Sequence, residues 1–110
     1  MATFIAGDVV VVPFPYSDLS NSKRRPALVV ARLTGDDVIL CQITSQTIRD
    51  DYAITIVDAD FSEGSLKTTS NIRPNRIFTA DKNIILYKVG RLKPNALKKV
   101  GDQVISILSS

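Results

Sequence analysis

Residues 7–12, with the sequence Gly-Asp-Val-Val-Val-Val, form a short β-branched run directly after a glycine-aspartate pair, which is typical of a strand that follows a turn. The polar segment 34–37, Thr-Gly-Asp-Asp, is a natural hairpin connection between two later runs. Three further apolar runs follow at similar spacing: Ala27–Val30, which opens at Pro26, then Val38–Ile43 and Ala53–Val57. Short, regularly spaced runs predict a compact, mostly antiparallel sheet or small barrel.

The second half of the chain predicts more strands and then a helix. We expect a short helical turn over Ser62–Leu66 and strands over Asn71–Phe78 and Ile84–Val89. Pro74 indicates an edge or a bulge within the first of these strands. Apolar residues then recur on one helical face, with Pro94 suited to the first turn: Leu97, Val100, Val104, Ile107 and Leu108. The predicted fold class is α+β, a small antiparallel barrel with a C-terminal helix.

The composition predicts one globular domain over residues 1–110, because 45% of the residues are apolar and 23% are charged. Cys41 is the lone cysteine, so no internal disulfide can form, and a reducing setting fits that count. No apolar run approaches the roughly 20 residues of a membrane span. The N-terminal residues lack the basic segment and cleavage site of a signal peptide. We therefore expect a soluble, cytoplasmic protein that does not bind membranes.

The sequence contains no histidine, which excludes several classes of catalytic site. A Ser-His-Asp triad, a Cys-His pair, an imidazole general base and the usual zinc sites all need residues that this chain lacks. The sequence also shows no evident cluster of metal ligands, and we expect no metal site and no cofactor. Cys41 lies within an apolar run and has no histidine to lower its pKa, so we interpret it as a small core residue rather than a nucleophile.

Charge is distributed unevenly along the chain. Residues 1–66 contain 5 basic and 9 acidic residues, whereas residues 67–110 contain 9 basic and 2 acidic residues. Such a division predicts a surface that faces a polyanion such as nucleic acid, or one that an acidic protein partner covers. A solvated helix face carrying Lys98 and Lys99 accounts for part of it.

Arg25 is the first candidate for binding a phosphate. It ends a 12-residue polar connection that starts at Phe14, and it directly precedes Pro26, which favours an extended backbone at the start of a strand. Its planar guanidinium can hold a phosphate through two hydrogen bonds. The alternative is that Lys23, Arg24 and Arg25 form a solvated basic loop.

Two further polar groups flank predicted strands. Thr44-Ser45-Gln46 follows the run Val38–Ile43, so its hydroxyls can bind a phosphate oxygen or cap the strand end. In the basic half, Arg73 and Asn75 share one face of an extended strand, where they can hold a phosphate or contact a base, while Arg76 is predicted to point away. Asp8 is most simply interpreted as a turn residue.

Several segments, in this order and spacing, together resemble the MazF/PemK toxin family. They are Gly7–Val10, Pro13–Asp18, Ser22–Val30, Ile43–Gln46, Ser70–Arg73 and Val89–Leu92. The resemblance covers nearly the whole chain. It implies a small SH3-like antiparallel β-barrel with a C-terminal helix, usually assembled as a homodimer. It also implies a metal-independent, ribosome-independent endoribonuclease that cuts single-stranded RNA at short sequences and is neutralised by a cognate, acidic-tailed antitoxin.

The resemblance implies roles for particular residues. Arg25 matches the catalytic arginine of the family, and Thr44 matches its catalytic threonine or serine. In the mechanism that the resemblance implies, the RNA 2′-OH attacks the adjacent phosphate, Arg25 stabilises the developing charge and Thr44 orients the phosphate. We expect further RNA contacts from the polar residues around them: Ser20, Ser22, Arg24, Ser45, Gln46, Arg73 and Asn75.

Asn75 departs from the family pattern, because some relatives carry an acid there that is proposed as the general base. Solvent or another acid such as Asp18 would then accept the proton, or the chain is a slow or inactive member. Two alternatives stay open. One is a non-catalytic toxin on the same fold, of the gyrase-inhibiting type, that acts through residues 100–110. The other is a degenerate nucleic-acid-binding module, which Asn75 favours.

Overall fold

The computed structural model describes residues 3–14 and 23–110, and these form a curled antiparallel sheet with one helix. The strand order across the sheet is β4-β6-β3-β2-β1-β7-β5. The elements are β1 (Asp8–Phe14), β2 (Lys23–Arg32), β3 (Asp37–Thr44), β4 (Ile54–Ile56), β5 (Phe61–Gly64), β6 (Ser70–Asp81), β7 (Tyr87–Leu92) and α1 (Pro94–Ser109). Short 3₁₀ turns lie at Asp58–Asp60 and Lys82–Ile84. The predicted fold class is confirmed.

The central strands are buried on both faces, which explains their continuous apolar runs. Successive side chains of a strand point to opposite faces, so Val9 and Val10 enter two different cores. One core lies under the helix and includes Val9, Leu28, Cys41, Ile43, Ile56, Phe61, Ile72, Leu92, Ala96 and Val100. The other includes Val10, Val12, Ala27, Val29, Val38 and Leu40.

Helix α1 begins at Pro94, as the sequence predicts, and packs against β6 and β4. Ala96 and Val100 are buried, and Leu97 and Val104 pack beside them at helical spacing. The predicted apolar face is wrong at Leu108, which is 72% exposed. None of the described helices is long and apolar enough to cross a membrane.

The structure corrects the predicted start of β2 and both predicted ends of the final strand. β2 begins at Lys23 rather than Ala27, because the basic residues Lys23, Arg24 and Arg25 pair with the end of β1. They therefore belong to a strand and not to a solvated loop. The final strand is Tyr87–Leu92 rather than Ile84–Val89, since Lys82–Ile84 forms a 3₁₀ turn first.

The helical turn predicted over Ser62–Leu66 is wrong, because most of this segment is part of the edge strand β5. Gly64 lies opposite Gly90 of β7 and has a φ of +66°, a conformation that glycine adopts easily. A Cβ on Gly64 would overlap the backbone of Val89, so glycine permits the two strands to approach closely. Gly90 in turn leaves room for the buried ring of Phe61.

Pro74 lies at a bulge, one of the two alternatives that the sequence left open. Along β6, Gln42 of β3 pairs with Arg73, but the preceding residue Cys41 pairs with Ile77. Residues 74–76 are therefore outside the ladder between β3 and β6, and Pro74 is buried there without removing a ladder hydrogen bond.

Asp8 is not a simple turn residue, because its side chain is buried at the start of β1. One carboxylate oxygen accepts a hydrogen bond from Arg91 Nε at 2.8 Å and lies 3.4 Å from Lys88 Nζ. The other accepts from the backbone N–H of Ile5 at 3.0 Å. The Asp8 carboxylate raises the pKa of Arg91, and Glu63 joins the same network. These contacts connect β1 to β7.

Candidate functional site

The candidate site lies where one face of the sheet changes from apolar to polar. On β3, Leu40 is buried in the core, and Gln42 and Thr44 follow it on the same face. Ala27 of β2 pairs with Gln42. Continuing this antiparallel register to the strand ends places Arg25 opposite Thr44. The sheet register therefore brings together two residues that are far apart in sequence.

β6 supplies two further arginines from the other side of β3. Arg73 pairs with Gln42, and the bulge that follows it turns Arg76 toward the same cavity. The prediction that Arg76 points away is wrong, because it assumes the alternation of an uninterrupted strand. Three arginines from two strands therefore line one cavity on this face of the sheet.

These groups line a cavity of about 300 Å³. Larger cavities of about 340 and 420 Å³ lie elsewhere, so its charge rather than its size distinguishes this one. The described residues that line it include three arginines and no acid: Phe14, Arg25, Gln42, Ile43, Thr44, Ser45, Gln46, Ile48, Arg73 and Arg76. A cavity with this lining attracts an anion.

The arginines differ in their partners. Arg25 and Arg76 are exposed and form no ion pair with any residue of 3–14 or 23–110. Arg73 is about four-fifths buried, and its Nη2 lies 3.2 Å from Oδ2 of Asp50. Its buried Nε has no hydrogen-bond partner within the described part of the chain. Arg25 and Arg76 are therefore available to a phosphate group, while Arg73 is held in place.

Thr44 presents a hydroxyl at the end of β3. Its Oγ1 accepts a hydrogen bond from the backbone N–H of Gln46 at 3.1 Å, which leaves its own proton free to be donated. Ser45 and Gln46 are exposed and line the same cavity. The site thus combines cationic and neutral donors, the set that binds phosphate oxygens.

Most of the residues predicted from the sequence meet at this cavity, but two do not line it. The residues brought together are Arg25, Thr44, Ser45, Gln46 and Arg73. Arg24 pairs with Pro13 and points to the opposite face from Arg25. Asn75 contacts Asp50 instead, with Nδ2 at 3.4 Å from Oδ2. The predicted residues Ser20 and Ser22, and the alternative base Asp18, lie outside the described residues.

Comparison with protein families adds an independent observation. The model of the PemK-like, MazF-like toxins of type II toxin–antitoxin systems matches residues 5–108. This chain belongs to that family. The match spans every described strand and nearly all of the helix of this MazF-like toxin.

Solved structures of MazF proteins share the fold of this MazF-like toxin. MazF from Deinococcus radiodurans is 19% identical, with 100% of each chain covered and a TM-score of 0.77. A MazE–MazF complex from the same organism is 18% identical over 98% of each chain, with a TM-score of 0.78. An endoribonuclease in complex with its cognate antitoxin from a mycobacterial species is 17% identical over 99% of this chain and 96% of that one, with a TM-score of 0.75. No curated protein matches in sequence.

Sequence reasoning missed three polar residues of this MazF-like toxin. Gln42 is a polar residue inside an apolar run, which was a detectable signal. Arg76 was considered but assigned to the wrong face. Asp50 gave no signal, because it lies in an irregular connection whose packing against β6 depends on tertiary structure. All three lie in or beside the cavity.

The Cys41 thiol is expected to be unreactive in the folded toxin. Burial raises its pKa from 9.0 to about 12, so the thiol stays neutral at physiological pH. We expect negligible modification by a thiol reagent such as Ellman's reagent under native conditions and one equivalent after denaturation. Fast modification of the native protein, at the rate of free cysteine, would contradict this placement.

Proposed function

We propose that this MazF-like toxin is a sequence-specific endoribonuclease that cuts single-stranded RNA without a metal ion and without the ribosome. The observation that carries the proposal is the cavity that Arg25, Arg73, Arg76 and Thr44 line together, with no acid among the described lining residues. Such a cavity suits the phosphate backbone of RNA. Cytoplasmic RNA is the expected substrate, so we also place the toxin in the cytoplasm.

The proposed reaction is an internal transesterification. The 2′-oxygen of one nucleotide forms a bond to the adjacent phosphorus, and the bond from phosphorus to the 5′-oxygen of the next nucleotide breaks. The products are a 2′,3′-cyclic phosphate and a 5′-OH end. Water or Asp18 accepts the proton of the 2′-OH, and water supplies the proton to the leaving oxygen.

Arg25 and Thr44 have different proposed roles in this reaction. Negative charge builds on the phosphoryl oxygens as the 2′-oxygen attacks, and the Arg25 guanidinium stabilises it. A guanidinium is a poor proton donor near neutral pH, so this role is electrostatic. The Thr44 hydroxyl donates a hydrogen bond that orients the phosphate for in-line attack. The residues that stay predicted RNA contacts are Ser20, Ser22, Ser45, Gln46, Arg73 and Asn75. Arg24 is not proposed as a contact, because it points to the opposite face of β2 from Arg25.

Two protein partners are part of the proposal. A second copy of the chain and an antitoxin are suggested by family membership and by the MazE–MazF complexes among the structures of this fold. Ile105 and Leu108 are 63% and 72% exposed on the helix and can contribute to a protein interface. The carboxylates of an acidic antitoxin tail would compete with RNA for the arginines of the cavity.

Cleavage of RNA in the presence of EDTA tests the proposed function. We expect the purified chain to cut a long single-stranded RNA at a recurrent short site, because its arginines supply the charge stabilisation that a metal would otherwise provide. Mapping should find 5′-OH and cyclic phosphate ends. Intact RNA after incubation with antitoxin-free protein would overturn the proposal, as would cleavage that EDTA abolishes.

The exposed helix residues Ile105 and Leu108 favour a second candidate, a non-catalytic toxin of the gyrase-inhibiting type. Growth assays separate the two candidates. If the toxin cuts RNA, Arg25→Ala abolishes growth arrest. If the toxin acts through its helix, Arg25→Ala stays toxic and Leu108→Asp does not. A degenerate RNA-binding module would bind RNA without either cleavage or toxicity.

A further inference from the structure

Asp50 lies in the connection between β3 and β4 and uses both of its oxygens in hydrogen bonds. Oδ1 accepts from the backbone N–H groups of Tyr52 at 3.0 Å and Ala53 at 3.1 Å. Oδ2 lies 3.2 Å from Arg73 Nη2 and 3.4 Å from Asn75 Nδ2. One carboxylate thus connects the irregular segment 45–53 to two residues of β6.

The surroundings of Asp50 suit a group that stays charged. Burial by itself raises the pKa of Asp50, but the hydrogen bonds from Tyr52, Arg73 and Ala53 outweigh it, so the pKa lies below the ordinary 3.8. A carboxylate with a low pKa and four donors around it is a weak proton acceptor. We therefore expect Asp50 to hold the hydrogen-bond donors around it in place rather than to take part in proton transfer.

A second contact fixes the same segment to β6. Asn71 donates from Nδ2 to the backbone carbonyl of Gln46 at 3.0 Å, and its own Oδ1 accepts from Thr55 at 2.8 Å. Ile48 lies between these two contacts and lines the cavity together with Gln46 and the preceding Ser45. Asn71 and Asp50 thus attach residues 46 and 50 of this segment, which forms one wall of the site, to β6.

We propose that Asp50 is a positioning residue for RNA binding, which acts by fixing the Arg73 guanidinium and the wall formed by residues 45–53 against β6. This inference rests on the proposed function. Asn75 contributes to the arrangement because an amide at this position donates to Asp50, whereas a carboxylate would repel it.

Asp50→Asn is the first test, with Asp51→Asn as its matched control. Both changes remove one negative charge, but Asp51 is exposed and has no hydrogen bond or ion pair within residues 3–14 and 23–110. For Asp50→Asn we expect KM for a short cleavable RNA to rise about tenfold with kcat within about threefold, because Arg73 binds the ground state and the transition state alike. Asp51→Asn should leave both constants near those of the wild type.

Equal constants for the two variants would overturn the proposal. A large loss of kcat with unchanged KM would also overturn it, because Asp50 would then take part in the reaction itself. Thermal melting of each variant shows whether a change in KM or kcat is caused by loss of the fold. If Asp50→Asn does not fold, Arg73→Gln removes the partner instead and is expected to raise KM by a similar factor; an unchanged KM for that variant overturns the proposal.

A double-mutant cycle tests whether Asp50 acts through Arg73. In the Arg73→Gln background, Asp50→Asn should change KM by less than about threefold, because the group that it positions is already absent. If the increase in KM of the double variant equals the product of the increases of the two single variants, the two residues act independently and this coupling is overturned. The double variant Asp50→Asn with Asn75→Asp exchanges the amide and the carboxylate beside Arg73. It should bind RNA more tightly than Asp50→Asn alone, whereas Asn75→Asp alone should not bind RNA more tightly than the wild type.

A fluorescent single-stranded RNA with 2′-O-methyl groups separates this inference from the proposed function, since it lacks the attacking hydroxyl and can be bound but not cut. If the wild type binds it without cutting ordinary RNA, the proposed function fails, and the affinities of Asp50→Asn and Asp51→Asn still decide the role of Asp50. If the wild type neither binds nor cuts, both proposals fail.

The pH dependence of stability gives a further check with a defined sign. Because the pKa of Asp50 is lowered in the folded state, its carboxylate stabilises the fold above the unfolded value of about 3.8, and this stabilisation is lost as the pH falls through the lower folded value. The Tm difference between wild type and Asp50→Asn should therefore be constant near neutral pH and shrink in acid. A difference that grows in acid would contradict the contacts of Asp50.

Discussion

Arg25→Ala is expected to slow RNA cleavage by about 10²- to 10³-fold in kcat, which corresponds to about 3 to 4 kcal/mol of transition-state stabilisation. The physical reason is that charge develops on the phosphoryl oxygens during attack, and Arg25 has no ion pair with any described residue that would occupy it. Single-turnover cleavage of an RNA that contains the mapped site measures the effect. The fold should be unchanged, because the Arg25 side chain is exposed.

Arg24→Ala is the matched control for this experiment. It removes the same charge from the adjacent residue, but Arg24 points to the opposite face of β2. We expect a loss of no more than about threefold in kcat/KM, mainly through weaker long-range attraction, and the loss should diminish at higher salt. Equal effects of the two changes would show that Arg25 contributes net charge alone and would refute its catalytic role.

Asp8→Ala is expected to destabilise the fold by about 3 kcal/mol. The buried carboxylate of Asp8 contacts Arg91 and Lys88 and accepts a hydrogen bond from the Ile5 N–H. Its removal leaves the Ile5 N–H without its acceptor, and it leaves the two cations with the exposed Glu63 as their remaining carboxylate. The cations are partly exposed, which places the effect at the low end for a buried pair. Urea unfolding followed by circular dichroism measures the change in the free energy of unfolding.

Asp36→Asn provides the comparison for the buried network. Asp36 also contacts a lysine, with Lys82 Nζ at 3.4 Å, but its side chain is 62% exposed. Exposed pairs contribute about 0 to 1 kcal/mol, so this change should have little effect on the free energy of unfolding. If Asp8→Ala is as mild as Asp36→Asn, the network at Asp8 does not stabilise the contact between β1 and β7.

The sequence was sufficient to predict six of the seven described strands and the helix, because their patterns depend on short-range chemistry. The run Val9–Val12 and the helical spacing of Leu97, Val100 and Val104 each determine local structure with little help from distant residues. Ser62–Leu66 was mispredicted because its conformation depends on Gly90, which lies across a strand pairing. Leu108 was placed on the packed face because periodicity alone does not show which apolar residues of a helical face are covered by the rest of the fold.

The candidate site was partly predictable for a related reason. Arg25 and Thr44 lie at strand ends in recognisable motifs, and the register of β2 and β3 brings them together. Arg76 and Asp50 were not assigned, because the first depends on a bulge and the second on packing between segments that are 23 residues apart. A bulge alters which side chains share a face, and a sequence pattern alone does not locate it.

The bulge in β6 also affects how this site can change. Residues 74–76 carry no pairing with β3, and the ladder resumes on either side of them at Arg73 and Ile77. Substitutions at the exposed residues Asn75 and Arg76 are therefore expected to leave the sheet register intact. A change at Arg76 alters the lining of the cavity that we propose binds RNA, and a change at Asn75 alters its contact with Asp50. A library of variants at these two positions should yield folded proteins with different cleavage sequences, so this short stretch is a starting point for redesigning target choice.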